Sequence, residues 1–136
     1  MAYPHAVDPA VSARLAKQKQ KGTRPEMEVA ALLRALRVSY RKNVKSLPGS
    51  PDFANKSKGW AIFVNGCFWH AHRGCGRAPT PKINSRFWQE KFAKNRLRDA
   101  KAIVQLRRRG FRVAIVWECD VRDAAPRLAR FFQRLD

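Results

Sequence analysis

The sequence predicts an α/β domain of the α+β-like kind, a small mixed β-sheet flanked by helices. Three observations predict it. Two segments repeat their apolar residues at helical spacing between recognisable caps. Two short strand-like runs surround a Lys/Ser/Gly turn, and a third apolar run, 111–117, follows the longer helix. The order α-β-β-β-α-β-α places helices between and around strands, which suits a sheet covered by helices. With 136 residues and a hydrophobic fraction of 45%, the chain can build one modest core.

Residues 1–22 are polar and basic and end in Lys17-Gln18-Lys19-Gln20-Lys21-Gly22. Val11 and Leu15 are the apolar side chains that a helix over 11–20 would present, so this stretch is read as a flexible basic arm that orders on DNA. The folded domain begins at 23. Thr23 or Arg24 caps a helix with Pro25 in its first turn, and the periodic residues Val29, Leu32, Leu33 and Leu36 carry it to about 38. Residues 39–43 form a short strand, and Ser46-Leu47-Pro48-Gly49-Ser50-Pro51 is a turn-rich loop. Strands are expected over 52–54 and 60–64, the second a near-continuous buried run. Residues 66–83 are irregular. A long helix spans 84–109, with Asn84 or Ser85 as its cap and Gly110 as its stop. The run 111–117 is the clearest strand, and a final helix covers 124–135.

Charge sets the partner. Lys and Arg number 29 against 10 Asp and Glu, a formal net charge of +19. Such a field attracts a polyanion without reading its sequence, and nucleic acid is the expected partner. An anionic membrane surface is the competitor, but no segment joins a clean apolar face to a basic flank. The three cysteines cannot close a disulfide framework. With no signal-like apolar run and no stretch that could span a bilayer, a reduced cytoplasmic setting is expected, bacterial and close to the nucleoid.

Chemistry concentrates in Cys67-Phe68-Trp69-His70-Ala71-His72-Arg73-Gly74-Cys75. Cys67, His72 and Cys75, with Cys119 after the last strand, make a Cys₃His set suited to tetrahedral Zn²⁺. A closed set of four ligands implies a structural ion; the alternative is reduced, buried cysteines beside a surface histidine. Phe68 and Trp69 cannot both point inward from an extended loop, so at least one ring is free to wedge between base pairs. Trp88 either joins them or packs in the core. Trp60 and Trp117 lie inside strands and are read as core.

Two carboxylates stand out. Asp99 falls on the helical stripe Trp88, Phe92, Asn95, Asp99, Ile103, Leu106. A carboxylate there needs a partner, either an arginine or an imidazole that it orients, with His70 the candidate. Asp52 heads a strand after Pro51; it either hydrogen-bonds the turn or holds a hard cation against a phosphate, with Glu26 as a second acid.

Together these residues resemble the very short patch repair (Vsr) DNA mismatch endonucleases. The resemblance rests on Thr-Arg-Pro-Glu at 23–26, Leu-Pro-Gly-Ser-Pro-Asp-Phe at 47–53 and Gly-Cys-Phe-Trp-His at 66–70. Phe-Trp-Gln-Glu-Lys at 87–91, Lys94-Asn95 with Arg98-Asp99, and Val-Trp-Glu-Cys at 116–119 complete it. It implies a restriction-endonuclease-like fold with a structural zinc, and Mg²⁺-dependent nicking of one strand 5′ to the thymine of a T·G mismatch. Asp52 would bind the catalytic metal, and Glu26 would hold metal-bound water. His70 would be the general acid/base, supported by Asp99. Phe68, Trp69 and Trp88 would intercalate, and Cys67, His72, Cys75 and Cys119 would hold zinc. Val64-Asn65 stand where well-known members carry Thr-His, so Val64 would offer its backbone carbonyl to the metal and Asn65 a hydrogen bond to DNA. The substrate implied is double-stranded DNA, met by a monomer, with mismatch-repair proteins as further partners. Two alternatives remain: the same nuclease core with a restriction, homing or mobile-element target, or a zinc-stapled DNA-binding module without catalysis.

Overall fold

Thr23 opens the first helix as its N-cap, its hydroxyl accepting a hydrogen bond from the Glu26 amide at 3.4 Å. The computed structural model describes residues 23–67 and 82–133. Residues 1–22, expected as the basic arm, residues 68–81, which include Phe68, Trp69, His70, His72 and Cys75, and residues 134–136, expected to hold the end of the final helix, lie outside them.

Helix α1 spans Arg24–Ala35 and stops three residues short of the expected 38. Arg37 takes a left-handed conformation at φ 56°. The Arg37 amide then bonds the Arg34 carbonyl and the Val38 amide the Leu33 carbonyl. That pair of bonds closes the helix and turns Val38 back against Leu33 in the core. Strand β1 is only Arg41–Lys42, because Asn43 also turns to positive φ, at 49°. Strands β2 (Phe53–Asn55) and β3 (Trp60–Asn65) form the hairpin that the turn residues foretold.

Helix α2 runs Ser85–Arg108. Asn84 occupies its cap position in a left-handed conformation, φ 58°, and its side chain makes no capping bond. The helix end is the expected one: Gly110 at φ 85° lets its own amide bond the Arg107 carbonyl and that of Phe111 the Leu106 carbonyl. Strand β4 (Arg112–Trp117), a 3₁₀ turn (Glu118–Asp123) and helix α3 (Ala124–Gln133) complete the described residues.

The sheet is mixed, in the order β1-β2-β3-β4. The first three strands are antiparallel, and β4 joins β3 in parallel with Trp60 opposite Arg112 and Asn65 opposite Trp117. Side chains alternate between the two faces. Phe53, Trp60, Ile62, Val64 and Val116 face α1 and α3, where Val29, Leu33 and Leu128 complete the larger core. Ala54, Ala61 and Phe63 face the other way, with Leu47 and Leu106 of α2. Trp60 is buried as expected, edge-on to Phe132 at 4.9 Å. Trp117 differs from expectation in being only half-buried, since it ends the edge strand where the chain leaves the sheet.

Candidate active site at the end of the central strands

The loop before β2 brings its aspartate to a fixed place. Gly49 and Ser50 both adopt positive φ, 75° and 48°. At Gly49 a Cβ would lie 2.6 Å from the Cβ of Ala102 and 3.1 Å from the Phe63 ring. Only a residue without a side chain lets the loop sit this close to α2 and β3. Backbone bonds then anchor the loop's two ends: the Asn43 amide donates to the Asp52 carbonyl at 2.9 Å, and Val44 to Pro51 at 3.0 Å. Asp52 is half-buried, and its Oδ2 accepts from the Val64 amide at 2.6 Å. The carboxylate therefore does not merely close its own turn. It reaches across to β3 and meets the backbone of the residue expected to share its metal.

Asp99 sits on the buried stripe of α2, itself half-buried. The stripe is Trp88, Phe92, Asn95, Ala102 and Leu106, with Ala102 in the place expected for Ile103, which is half-buried. Leu106 packs at Ala61, and Ala102 lies at the level of Gly49 and Phe63. Helix α2 thus runs antiparallel to β3, and Asp99, one turn before Ala102, falls beside the strand's last residues. Asn65 shares the Ala61–Phe63 face by alternation and is buried. Asp52, opposite Phe63 in register, belongs to the same face. One end of one sheet face collects Asp52, Asn65 and Asp99, immediately before the residues 66–75 in which the sequence placed its chemistry.

The other expected residues fall as follows. Glu26 is buried in the first turn of α1, the helix on the opposite face. The layers meet at Val64, whose side chain enters the α1 core while its amide holds Asp52. Asn65, expected to contact DNA, is buried on the sheet face that α2 covers, with 7% exposure. Trp88 is packed rather than displayed: fully buried, with ring centroids 5.3 Å from Phe87 and 5.8 Å from Phe92. An early position on a long amphipathic helix gave no sign of which way it would go.

Two of the four expected zinc ligands are described. Cys67 is buried and Cys119 exposed. Because β3 and β4 are parallel and Asn65 faces Trp117, each cysteine lies two residues past the last paired position of its strand. The Cys67 amide donates to Glu118 Oε1 at 3.2 Å, tying the two strand exits together. Among the described residues no three His, Cys, Asp or Glu side chains gather as a metal site. Sequence reasoning missed Glu118 as this clasp; its place between Trp117 and Cys119 was the available sign. Among the described residues no helix is long and apolar enough to cross a membrane.

Comparison with known proteins bears on this arrangement. The family model described as DNA mismatch endonuclease Vsr matches residues 7–77. The type II nicking enzyme V.XorIIP of Xanthomonas oryzae pv. oryzae is 40% identical over 118 residues, covering 87% of this chain and 86% of that protein. The type II nicking enzyme V.NmeAIP of Neisseria meningitidis is 39% identical over 109 residues, covering 80% and 77%. The Escherichia coli DNA mismatch endonuclease Vsr is 41% identical over 102 residues, covering 75% of this chain and 65% of that protein. A carboxylate held at the end of the central strands, in a chain with these relatives, makes this protein a DNA endonuclease. It belongs to the Vsr family of DNA mismatch endonucleases. The non-catalytic alternative is thereby set aside.

Proposed function

We propose that this endonuclease nicks one strand of duplex DNA 5′ to the thymine of a T·G mismatch, with Mg²⁺ as its catalytic metal, in very short patch repair. The observation that carries the reading is the Asp52–Val64 contact, which holds a carboxylate at the β3 end that leads into His70. Asp52 and the Val64 carbonyl are hard oxygen donors of the kind Mg²⁺ prefers, and the ion would supply positive charge at the scissile phosphate and lower the pKa of an attacking water. Asp52 keeps its carboxylate aimed because the Val64 amide fixes one of its oxygens. His70 moves the proton at the phosphodiester, and Asp99, on the neighbouring helix, orients its ring. Glu26 orders the water from the opposite layer.

Phe68 and Trp69 supply the wedge. A mismatched pair unstacks at lower cost than a matched one, which favours it by about 1–3 kcal/mol. Trp88 takes part only by leaving its packed position, and Asn65 its buried one. Cys67 and Cys119, brought to matching positions by the parallel pair, fit a thiolate-rich zinc site that His72 and Cys75 would close. One nick needs one centre, so the protein acts as a monomer. Its place is the bacterial cytoplasm, at the nucleoid, and its product passes to mismatch-repair proteins.

End-labelled duplexes carrying T·G, T·A or other mismatches, incubated with and without Mg²⁺, test this directly. The expected result is one labelled product, from the thymine strand of T·G alone and only with metal. Equal cleavage of matched duplexes would replace the repair reading with the second one, a nuclease with another target. That reading is favoured by the relatives named type II nicking enzymes, and restriction, homing and mobile-element roles belong to it.

A further inference from the structure

The far end of β2 carries a second feature that this chemistry does not use. Beside the edge strand β1 lies a groove of about 560 Å³, lined by Ser39, Tyr40, Arg41, Ser46, Lys56 and Ser57 among others. Its side chains combine cations with hydroxyl donors, and among the described residues no acid lines it. Between residues 37 and 58 the chain holds six cations, at 37, 41, 42, 45, 56 and 58, against the single acid Asp52. The walls are built rather than incidental. Asn55 spans them, its Nδ2 donating to the Ser39 carbonyl at 3.1 Å while its Oδ1 accepts from Ser57 Oγ at 2.9 Å and the Lys58 amide at 3.0 Å. Tyr40 is held edge-on against Phe53 at 5.2 Å, so its ring is committed to packing.

We propose that this groove binds the phosphodiester backbone of the duplex on one flank of the cut, through Arg41 and Lys56 with hydroxyls of the groove wall. Arginine, lysine and serine are the residues that fix a duplex in register by its phosphates. Tyr40, the one aromatic ring among the described lining residues, is engaged edge-on with Phe53, and the cations and hydroxyls around it suit a backbone phosphate rather than a splayed base. Position agrees as well. Ala54, in the groove wall, shares a sheet face with Asp52, and Lys56 is four residues beyond it. At roughly 3.3 Å per residue of extended chain that is at most about 13 Å, since Lys56 already lies in the turn after β2. A B-form strand advances about 3.4 Å along its axis per base pair while its phosphates also wind round that axis, so the groove reaches a phosphate within about four base pairs of the one at Asp52. The site deepens the nicking reading above, since it supplies the register in which one phosphate meets the carboxylate.

The test uses the full chain, the double variant Arg41→Gln/Lys56→Gln, and binding measured without divalent metal, so that it stands whether or not nicking is observed. Both side chains are exposed, and an unchanged melting temperature confirms a folded variant. On a matched 30-base-pair duplex, two lost phosphate contacts lower the salt slope by about 1.8. Between 50 and 200 mM salt the parent then loses about tenfold more affinity than the variant. An unchanged slope in a folded variant overturns the proposal. A second arm shortens a T·G duplex from either end. The difference between parent and variant should vanish as one flank is shortened through its last four base pairs or so. A reduced slope with no dependence on flank length keeps phosphate binding at the groove, and the fault then lies with the mismatch register.

Discussion

Asp52 owes its position to bonds made by its neighbours more than to its own. Gly49 permits the close loop, Asn43 and Val44 anchor it, and the Val64 amide fixes one carboxylate oxygen. Asp52→Asn keeps the side chain's shape and one acceptor but loses the charge. Nicking should fall at least about 100-fold, the scale of losing a group that stabilises developing charge. Duplex affinity measured without metal should hold, and a comparable loss of both would mean that Asp52 serves the fold instead. Gly49→Ala should destabilise the protein by about 1–3 kcal/mol in urea unfolding, since the added methyl meets the Ala102 Cβ at 2.6 Å and φ is positive.

Among the elements, the parallel pair β3–β4 decides most. Its register delivers Cys67 and Cys119 to matching exits, and Glu118 clasps the two. A thiolate removed from a structural zinc site costs stability because metal binding is folding free energy. Cys119→Ser should therefore lower the melting temperature and remove close to one equivalent of zinc from purified protein. A full metal content in that variant would exclude Cys119 as a ligand. The long helix contributes differently. Running antiparallel to β3, it places Ala102 on the Gly49 loop and Asp99 further toward the strand end, so a single stripe carries both core residues and the carboxylate proposed for the site.

Across the whole molecule, the dominant property is a net charge of +19 spread over 136 residues. If six to ten phosphates are contacted, duplex affinity should drop by about 10³–10⁵ between 50 and 200 mM salt. A titration by fluorescence anisotropy at several salt concentrations measures this. A flat response would assign binding to the aromatic loop rather than to charge. The same field holds matched DNA as well as mismatched, so net charge by itself does not discriminate between them.

Local order was legible. Thr23, Pro25 and Gly110 marked helix ends, and the apolar runs marked the strands, because caps and alternation are set by residues a few positions apart. Where the reading slipped, the cause was a backbone choice: Arg37 and Asn43 turn to positive φ and shorten α1 and β1. The sequence by itself determined the elements, the family and the residue types available for catalysis, since each is written in contiguous motifs. Only the tertiary structure decided that Asp52 meets the Val64 amide, that Trp88 packs inside, that Asn65 is buried on the face α2 covers and that a basic groove opens beside β1. Those depend on strand register and on which helix covers which face, and both are fixed by contacts between residues far apart in the chain.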